Sequence, residues 1–308
     1  EEFVRTLVGK RFARAGIKGD IATFLGKYTP PYGDFGRSLG KTESSSLATS
    51  ARRRLLLEKM ATGTLSITDF IKDYQPRPIR IEEIDASKSK PPSGRVEETY
   101  YAGFKIVVAL CTGDISTLLE LCRAIWIEAG GKSMILERPG ENVAFELQNR
   151  VITQFSRQRL VLLKGMPEAG DRLYIIACTM GAVSHDRLAR PPIIDKTTGE
   201  KRPREIIRIM VDEKKQMLSS EADKMYKALV KFGVFTDMKS KYLWGSQLEG
   251  LKLVFRKVYT PSFRISYRDR LGLRLSVSEF EQFLLNSESF LRQKLLVEDG
   301  KLLVEEGQ

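Results

Sequence analysis

Histidine is nearly absent from this 308-residue chain, where His185 is the single one. A His-rich metal site is thereby excluded, and any triad built on imidazole depends on one residue. Cysteine is scarce as well. Cys111, Cys122 and Cys178 are odd in number, widely spaced and set among apolar neighbours, so they form neither a disulfide framework nor a Cys-x-x-Cys metal knuckle. Core packing is the expectation for all three, and their usage points to a reducing, intracellular compartment. Long apolar runs are missing too: no window approaches the roughly 18 consecutive apolar residues that cross a bilayer, so no membrane role is expected. Carboxylates are outnumbered, 39 against 51 Lys+Arg, which leaves a net charge of +12. With 42% apolar and 29% charged residues and no long polar tract, the chain has enough material for about two globular cores.

Apolar spacing organises the chain mainly into helices. Phe3, Val4, Leu7 and Phe12 predict a helix over 3–15, closed by Gly16. It opens without an initiator Met, a signal peptide or a polar lead-in, as expected of a fragment of a longer chain. Prolines, glycines and serines over 27–46 predict a loop. Residues 52–60 predict a second helix, and Ser66 with Asp69 caps a third through Tyr74. Residues 1–75 are therefore a helical segment, followed by a Pro- and Ser-rich linker over 76–96. Phe104, Val107, Val108 and Cys111, then Asp114 as N-cap before Ile115, Leu118, Leu119, Cys122, Trp126 and Ala129, predict a helical hairpin over 97–131.

Residues 142–166 favour a long helix, and Asp171 caps another that carries Leu173, Ile176, Ala177 and Met180. Past a loop over 189–203, residues 206–211 read as a strand and 220–232 as a helix stopped by Gly233. Residues 234–235, 251–259 and 263–275 then read as strands. Helix, strand, helix and paired strands is the order of a winged-helix module, here 141–275. A last helix over 276–308 carries Phe280, Phe283, Leu284 and Leu291 on its apolar side. The expected class is α+β, mainly helical, without an internal repeat.

Few motifs carry chemistry. Gly36 and Gly40 enclose three residues where a phosphate-binding loop has four, and no strand precedes them. Gly131-Lys132-Ser133 lacks the upstream glycine. Neither predicts a nucleotide site, and no cofactor is expected within this stretch. Arg52, Arg53 and Arg54 point about 100° apart on a helix and read as a solvated face. His185, beside Asp186 at a helix end, is expected at the surface or as a C-cap, since no nucleophile or orienting partner accompanies it.

The basic concentration lies over 236–275, where nine cations face Asp237, Glu249 and Asp269 for a net +6. Lys239, Lys241, Lys252, Arg256, Lys257, Arg264, Arg268, Arg270 and Arg274 are the candidate DNA-binding residues, interleaved with Tyr259, Phe263 and Tyr267. In an extended strand, Arg264, Arg268, Arg270 and Arg274 would share one face.

Tyr100-Tyr101-Ala102-Gly103 and residues 109–122, with the turn Gly113-Asp114-Ile115-Ser116, resemble the helical lid of AAA+ ATPases. The similarity is greatest to the origin-recognition and Cdc6-like group, including its bacterial relatives. Residues 170–174, 232–235 and 253–261 resemble the winged-helix region that follows the lid in those proteins. The resemblance implies an N-terminal ATPase half that holds ATP and Mg, with residues 1–75 as the end of that core or an insertion after it. It also implies a prokaryotic cytoplasmic protein and leaves room for a homo-oligomer. In the family an Arg just after the turn reaches the nucleotide phosphates. Here Ser116 stands in its place, and a neutral hydroxyl cannot stabilise phosphate charge as a guanidinium does.

The leading expectation is a DNA-associated regulatory AAA+ ATPase, represented by its lid and a winged-helix region that grips duplex DNA through a basic wing, with no complete active site. The alternative is a signalling or scaffold ATPase of the antiphage-defence type. In that case the C-terminal region binds a protein partner or maintains autoinhibition.

Overall fold

Helices dominate and the longer strands gather in one small mixed sheet, which makes the class α+β, mainly helical. The computed structural model describes residues 2–14, 20–26, 101–111, 114–131, 142–189, 193–194, 201–202, 206–211, 218–238, 251–268 and 271–294. The helices expected over 52–74, the linker over 76–96, the Gly36–Gly40 loop, Gly16 and Gly113 lie outside them.

The helical elements are α1 (Glu2–Arg14), α2 (Ile21–Leu25), α3 (Phe104–Leu110), α4 (Ile115–Glu128) and α5 (Phe145–Leu162), then a 3-10 turn (Leu163–Gly165) and α6 (Gly170–Ala189). Next come β1 (Ile193–Ile194), β2 (Lys201–Arg202), β3 (Ile206–Val211), α7 (Ser220–Lys231), β4 (Phe235–Asp237) and β5 (Leu251–Phe255). A second 3-10 turn (Lys257–Tyr259), α8 (Thr260–Phe263), β6 (Leu271–Leu275), α9 (Val277–Leu285) and α10 (Ser287–Arg292) complete the order. The chain divides into two compact units. The first takes the described residues of 1–34, 99–162 and 256–262, the second those of 163–255 and 263–308.

In the first unit, irregular backbone meets around one buried side chain. Gln148 of α5 donates from Nε2 to the carbonyls of Leu25 and Val143, both at 2.8 Å, and its Oε1 accepts from the Gly103 N–H at 2.8 Å. Asn149 Oδ1 accepts from the Tyr101 N–H at 2.8 Å. Buried backbone groups outside regular structure need such partners, because leaving one unsatisfied costs about 1–3 kcal/mol. Gly26, at φ 69°, ends α2 here, and its carbonyl accepts from the Phe104 N–H at 3.0 Å.

Asp114 caps α4 as its sequence predicts, accepting from the Thr117 N–H at 3.0 Å. The apolar stripe is rotated from the expected one, however. Leu118, Leu121, Cys122 and Ile125 are buried, while Leu119 and Trp126 are half-buried and Ile115 is exposed. Packing of α4 against both α3 and α5 selects the face, and apolar residues on both flanks had blurred it. Among the described side chains of α1, Val8 is buried and Phe3 is exposed.

In the second unit β3 is the centre. The sheet order is β4-β5-β3-β6, with β5 antiparallel to both β3 and β4, and β6 parallel to β3. The order α6, β3, α7, then the antiparallel pair β4–β5 matches the expected sequence of elements. The strand expected over 263–275 does not form as one piece: Phe263 closes α8, Arg264 turns at φ 52°, and among the described residues of this span the strand is Leu271–Leu275. The cause is the Phe263 ring, which lies on the α6 backbone at Gly181, where a Cβ would come within 2.4 Å of it. One turn further along α6, His185 Nδ1 donates to the Phe263 carbonyl at 2.8 Å. His185 is therefore half-buried near the end of α6 and held by a backbone hydrogen bond. Burial holds its pKa below the usual imidazole range and Arg264 adds to this, against the opposing pull of the Phe263 carbonyl and Asp186.

The single C-terminal helix expected over 276–308 is two helices within the described residues. Ser276 and Glu279 form a capping box for α9, and Asn286, at φ −138°, breaks the helix and caps α10. The break lets Phe290 meet Phe283 at 5.1 Å between centroids, and Phe283 in turn meets Phe235 at 6.2 Å. Another departure is the β1–β2 ladder, which pairs Ile193 with Arg202 inside the expected loop.

Gln148→Leu is expected to destabilise the chain by about 3 kcal/mol or more, since three backbone groups lose their partner. In chemical denaturation, Leu118→Ala is expected to cost about 2–5 kcal/mol and Leu119→Ala about 1 kcal/mol, the difference reporting which face of α4 is core.

Candidate functional site

Two of the sequence-predicted residues meet in the first unit. Asp114, at the lid-like turn, and Arg256, from the basic segment, form an ion pair at 3.3 Å, with about a quarter of each side chain exposed. The Asp114 carboxylate also accepts from the Thr117 hydroxyl at 2.7 Å. Partial burial works against its charge. The Thr117 N–H and hydroxyl, the Arg256 guanidinium and the Ser116 hydroxyl outweigh that and hold its carboxyl below the usual range. Beside it, Arg159 of α5 pairs with Glu120 of α4 and lies over the Phe155 ring at 5.3 Å.

This cluster holds structure and offers no nucleophile. Burial pushes the Cys111 thiol far up, with Cys122 and Asp114 adding to the effect, and it pushes Cys122 up to about 12. Cys178, in the second unit, is also raised to about 12 by burial. All three stay protonated and inert, since the thiolate is the reactive form. Among the described residues no group of three or more His, Cys, Asp or Glu is placed to hold a metal ion.

Nor does the turn fit a nucleotide phosphate. The N-terminus of α4 would attract an anion, but the Asp114 carboxylate already occupies that position and Ser116 adds no cation. The geometry is that of a capped helix tied to Arg256.

The remaining basic candidates spread out. Lys239, Lys241 and Arg270 lie outside the described residues. Lys257 opens the second 3-10 turn, half-buried, in the first unit with Arg256. Arg264 sits at the left-handed corner after α8, and Arg268 lies in irregular backbone, its N–H donating to Ser266 Oγ at 3.1 Å. Lys252 and Arg274 are exposed on β5 and β6. The structure therefore gathers Lys252 and Arg274 on one sheet and places Arg264 and Arg268 outside the strand that carries Arg274.

A further basic stripe escaped the sequence reading. Lys224, Lys227 and Lys231 are exposed along α7, opposite its buried Ala222, Met225, Tyr226 and Leu229. Their i, i+3, i+7 spacing was legible, but charge had been counted by strand segment and not by helix face. Lys227 also pairs with Asp223 at 2.6 Å.

A profile of the ORC-CDC6-like family matches residues 1–275, a span that runs from α1 to the end of β6 and covers both units. The chain belongs to the ORC-CDC6-like family. No curated protein matches it, and no solved structure does. Membership of an ORC-CDC6-like family carries an AAA+ ATPase-related regulatory role. Among the described residues no helix is long and apolar enough to cross a membrane.

The Asp114–Arg256 pair of this ORC-CDC6-like chain is expected to give a coupling of about 1 kcal/mol in an Asp114→Asn, Arg256→Ala double-mutant cycle, shrinking as salt is raised. Because the Asp114 pKa is depressed in the fold, its stabilisation is present above its ordinary value of 3.8 and disappears in more acidic solution. The difference in stability between wild type and Asp114→Asn is therefore expected to narrow in acid denaturation.

Proposed function

We propose that this chain is the DNA-associated part of a regulatory, ATP-linked protein of the family, acting in the prokaryotic cytoplasm, and that its second unit holds duplex DNA mainly by the phosphate backbone. The observation that carries this reading is the lysine stripe of α7, set in the order α6, β3, α7, β4, β5. That order parallels the helix, strand, helix and paired strands of a winged helix, and Lys239 and Lys241 fall in the sequence between β4 and β5. ATP and Mg belong to the full-length protein in this reading and engage residues other than the Asp114 turn.

A second reading, the signalling scaffold, draws support from exposed apolar side chains in the first unit. Phe3, Ile127, Val161 and Leu162 are each more than half exposed, as befits side chains that meet a protein partner or a second copy.

In fluorescence anisotropy the chain is expected to bind duplex DNA at low salt with little sequence preference, log K falling by about 0.9 per log salt for each phosphate neutralised. Changing Lys224, Lys227 and Lys231 together to Ala is expected to flatten that slope by up to about 2.7. A wild-type chain that leaves the anisotropy of duplex DNA unchanged at low salt would put the scaffold reading first.

A further inference from the structure

One short segment of the first unit is reached from within the second unit's stretch of sequence. β5 ends at Phe255, residues 256–262 belong to the first unit, and the chain is back in the second unit at Phe263. Phe255 and Phe263 close the two ends of this strap, with ring centroids 6.2 Å apart. The far end is fixed further by the Phe263 ring on Gly181 and by the His185 hydrogen bond to the Phe263 carbonyl. A short segment whose ends are held together can open locally while the fold around it persists.

Within the first unit the strap has anchors of two kinds. The Ser262 and Ser156 hydroxyls are hydrogen-bonded at 2.7 Å, and Ser156 Oγ also accepts from the Ser262 N–H at 3.1 Å. The Tyr101 hydroxyl donates to the Thr260 carbonyl at 3.3 Å. These groups are neutral and buried, as are Val258 and Tyr259 beside them, so ionic strength has little hold on them. The other kind is the Asp114–Arg256 pair at the first residue of the strap, 3.3 Å long and about a quarter exposed, which salt still reaches. Asp114 is also the N-cap of α4, accepting from the Thr117 N–H and hydroxyl. One carboxylate therefore serves the lid-like turn and the strap together.

We propose that residues 256–262 are a conformational strap latched by the Asp114–Arg256 pair, which opens and closes as one piece and ties its seating to the state of the lid-like turn. The tie is reciprocal: whatever draws Asp114 from Arg256 shifts the strap, and a shift of the strap acts back on the turn. It stands independently of the DNA-binding reading, because none of its parts is a proposed DNA contact of that reading.

Hydrogen exchange of the full chain, resolved to single amides at low salt and at about 1 M salt, tests this. The reporters are the Ser262 N–H and the Tyr259 N–H, which is bonded to the Arg256 carbonyl at 3.0 Å. In wild type both are expected to exchange up to roughly fivefold faster at high salt, by a common factor, while the Ile209 amide of β3 keeps its rate. Arg256→Ala and Asp114→Asn are each expected to give the fast rates already at low salt and to lose the salt response. Ser156→Ala removes a buried anchor instead, and is expected to speed both amides with the salt response retained, which separates the latch from general loosening. Arg256→Ala is also expected to speed the Thr117 N–H, and an unchanged rate there would overturn the tie to the turn. The strap itself is overturned if Tyr259 responds without Ser262, if Arg256→Ala leaves both rates and their salt response at wild-type values, or if both amides exchange only together with Ile209.

Discussion

Buried backbone has to find hydrogen-bond partners, and in the first unit that requirement converges on Gln148. Three segments far apart in sequence, ending at Leu25, Gly103 and Val143, present polar groups to the same buried point. One amide supplies two donors and one acceptor there, which joins the segments and orients α5 against α2 and α3. The apolar contacts around it, such as Phe24 with Trp126 at 5.3 Å, add burial to a geometry that the polar groups have already restricted.

The second unit answers the same requirement with a sheet. β3 pairs on both sides, so its backbone is satisfied by β5 and β6 while Ile207, Ile209 and Val211 enter the core. Aromatic packing covers that core, with Phe235, Phe255, Phe283 and Phe290 in a chain of ring contacts. The Gly181–Phe263 contact and the His185 hydrogen bond set where the chain leaves α8, and hence why Arg264 cannot continue into a strand.

Cations stand in two settings in this fold. Arg256 and Arg159 are bound to Asp114 and Glu120, and Lys294, nearly buried, pairs with Glu279 at 2.8 Å. These interactions organise the packing and are partly shielded from salt. The lysines of α7, Lys252 and Arg274 are exposed on the second unit, and Lys227 is paired there with Asp223. An excess of +12 over the whole chain says nothing of this division, because it counts both kinds alike.

Local rules were enough for much of the secondary structure. The N-cap at Asp114, the long helices before and after Pro167, the strand over 206–211 and the stop at Gly233 follow from capping chemistry and apolar period, both of which act within a few residues. The family was legible in a different way, through the resemblance carried by the residues around Asp114, and the match over residues 1–275 shows it. Tertiary structure decided what depends on contacts between distant segments. Which face of α4 is core, the break at Asn286 that brings Phe290 to Phe283, and the turning of Arg264 away from a strand each depend on a partner supplied from elsewhere in the chain. So does the placing of the basic residues. Asp114 meets Arg256, and Lys252 and Arg274 stand on the strands either side of Met210, only because pairing and packing bring separate segments together, and no spacing along the chain encodes that placement.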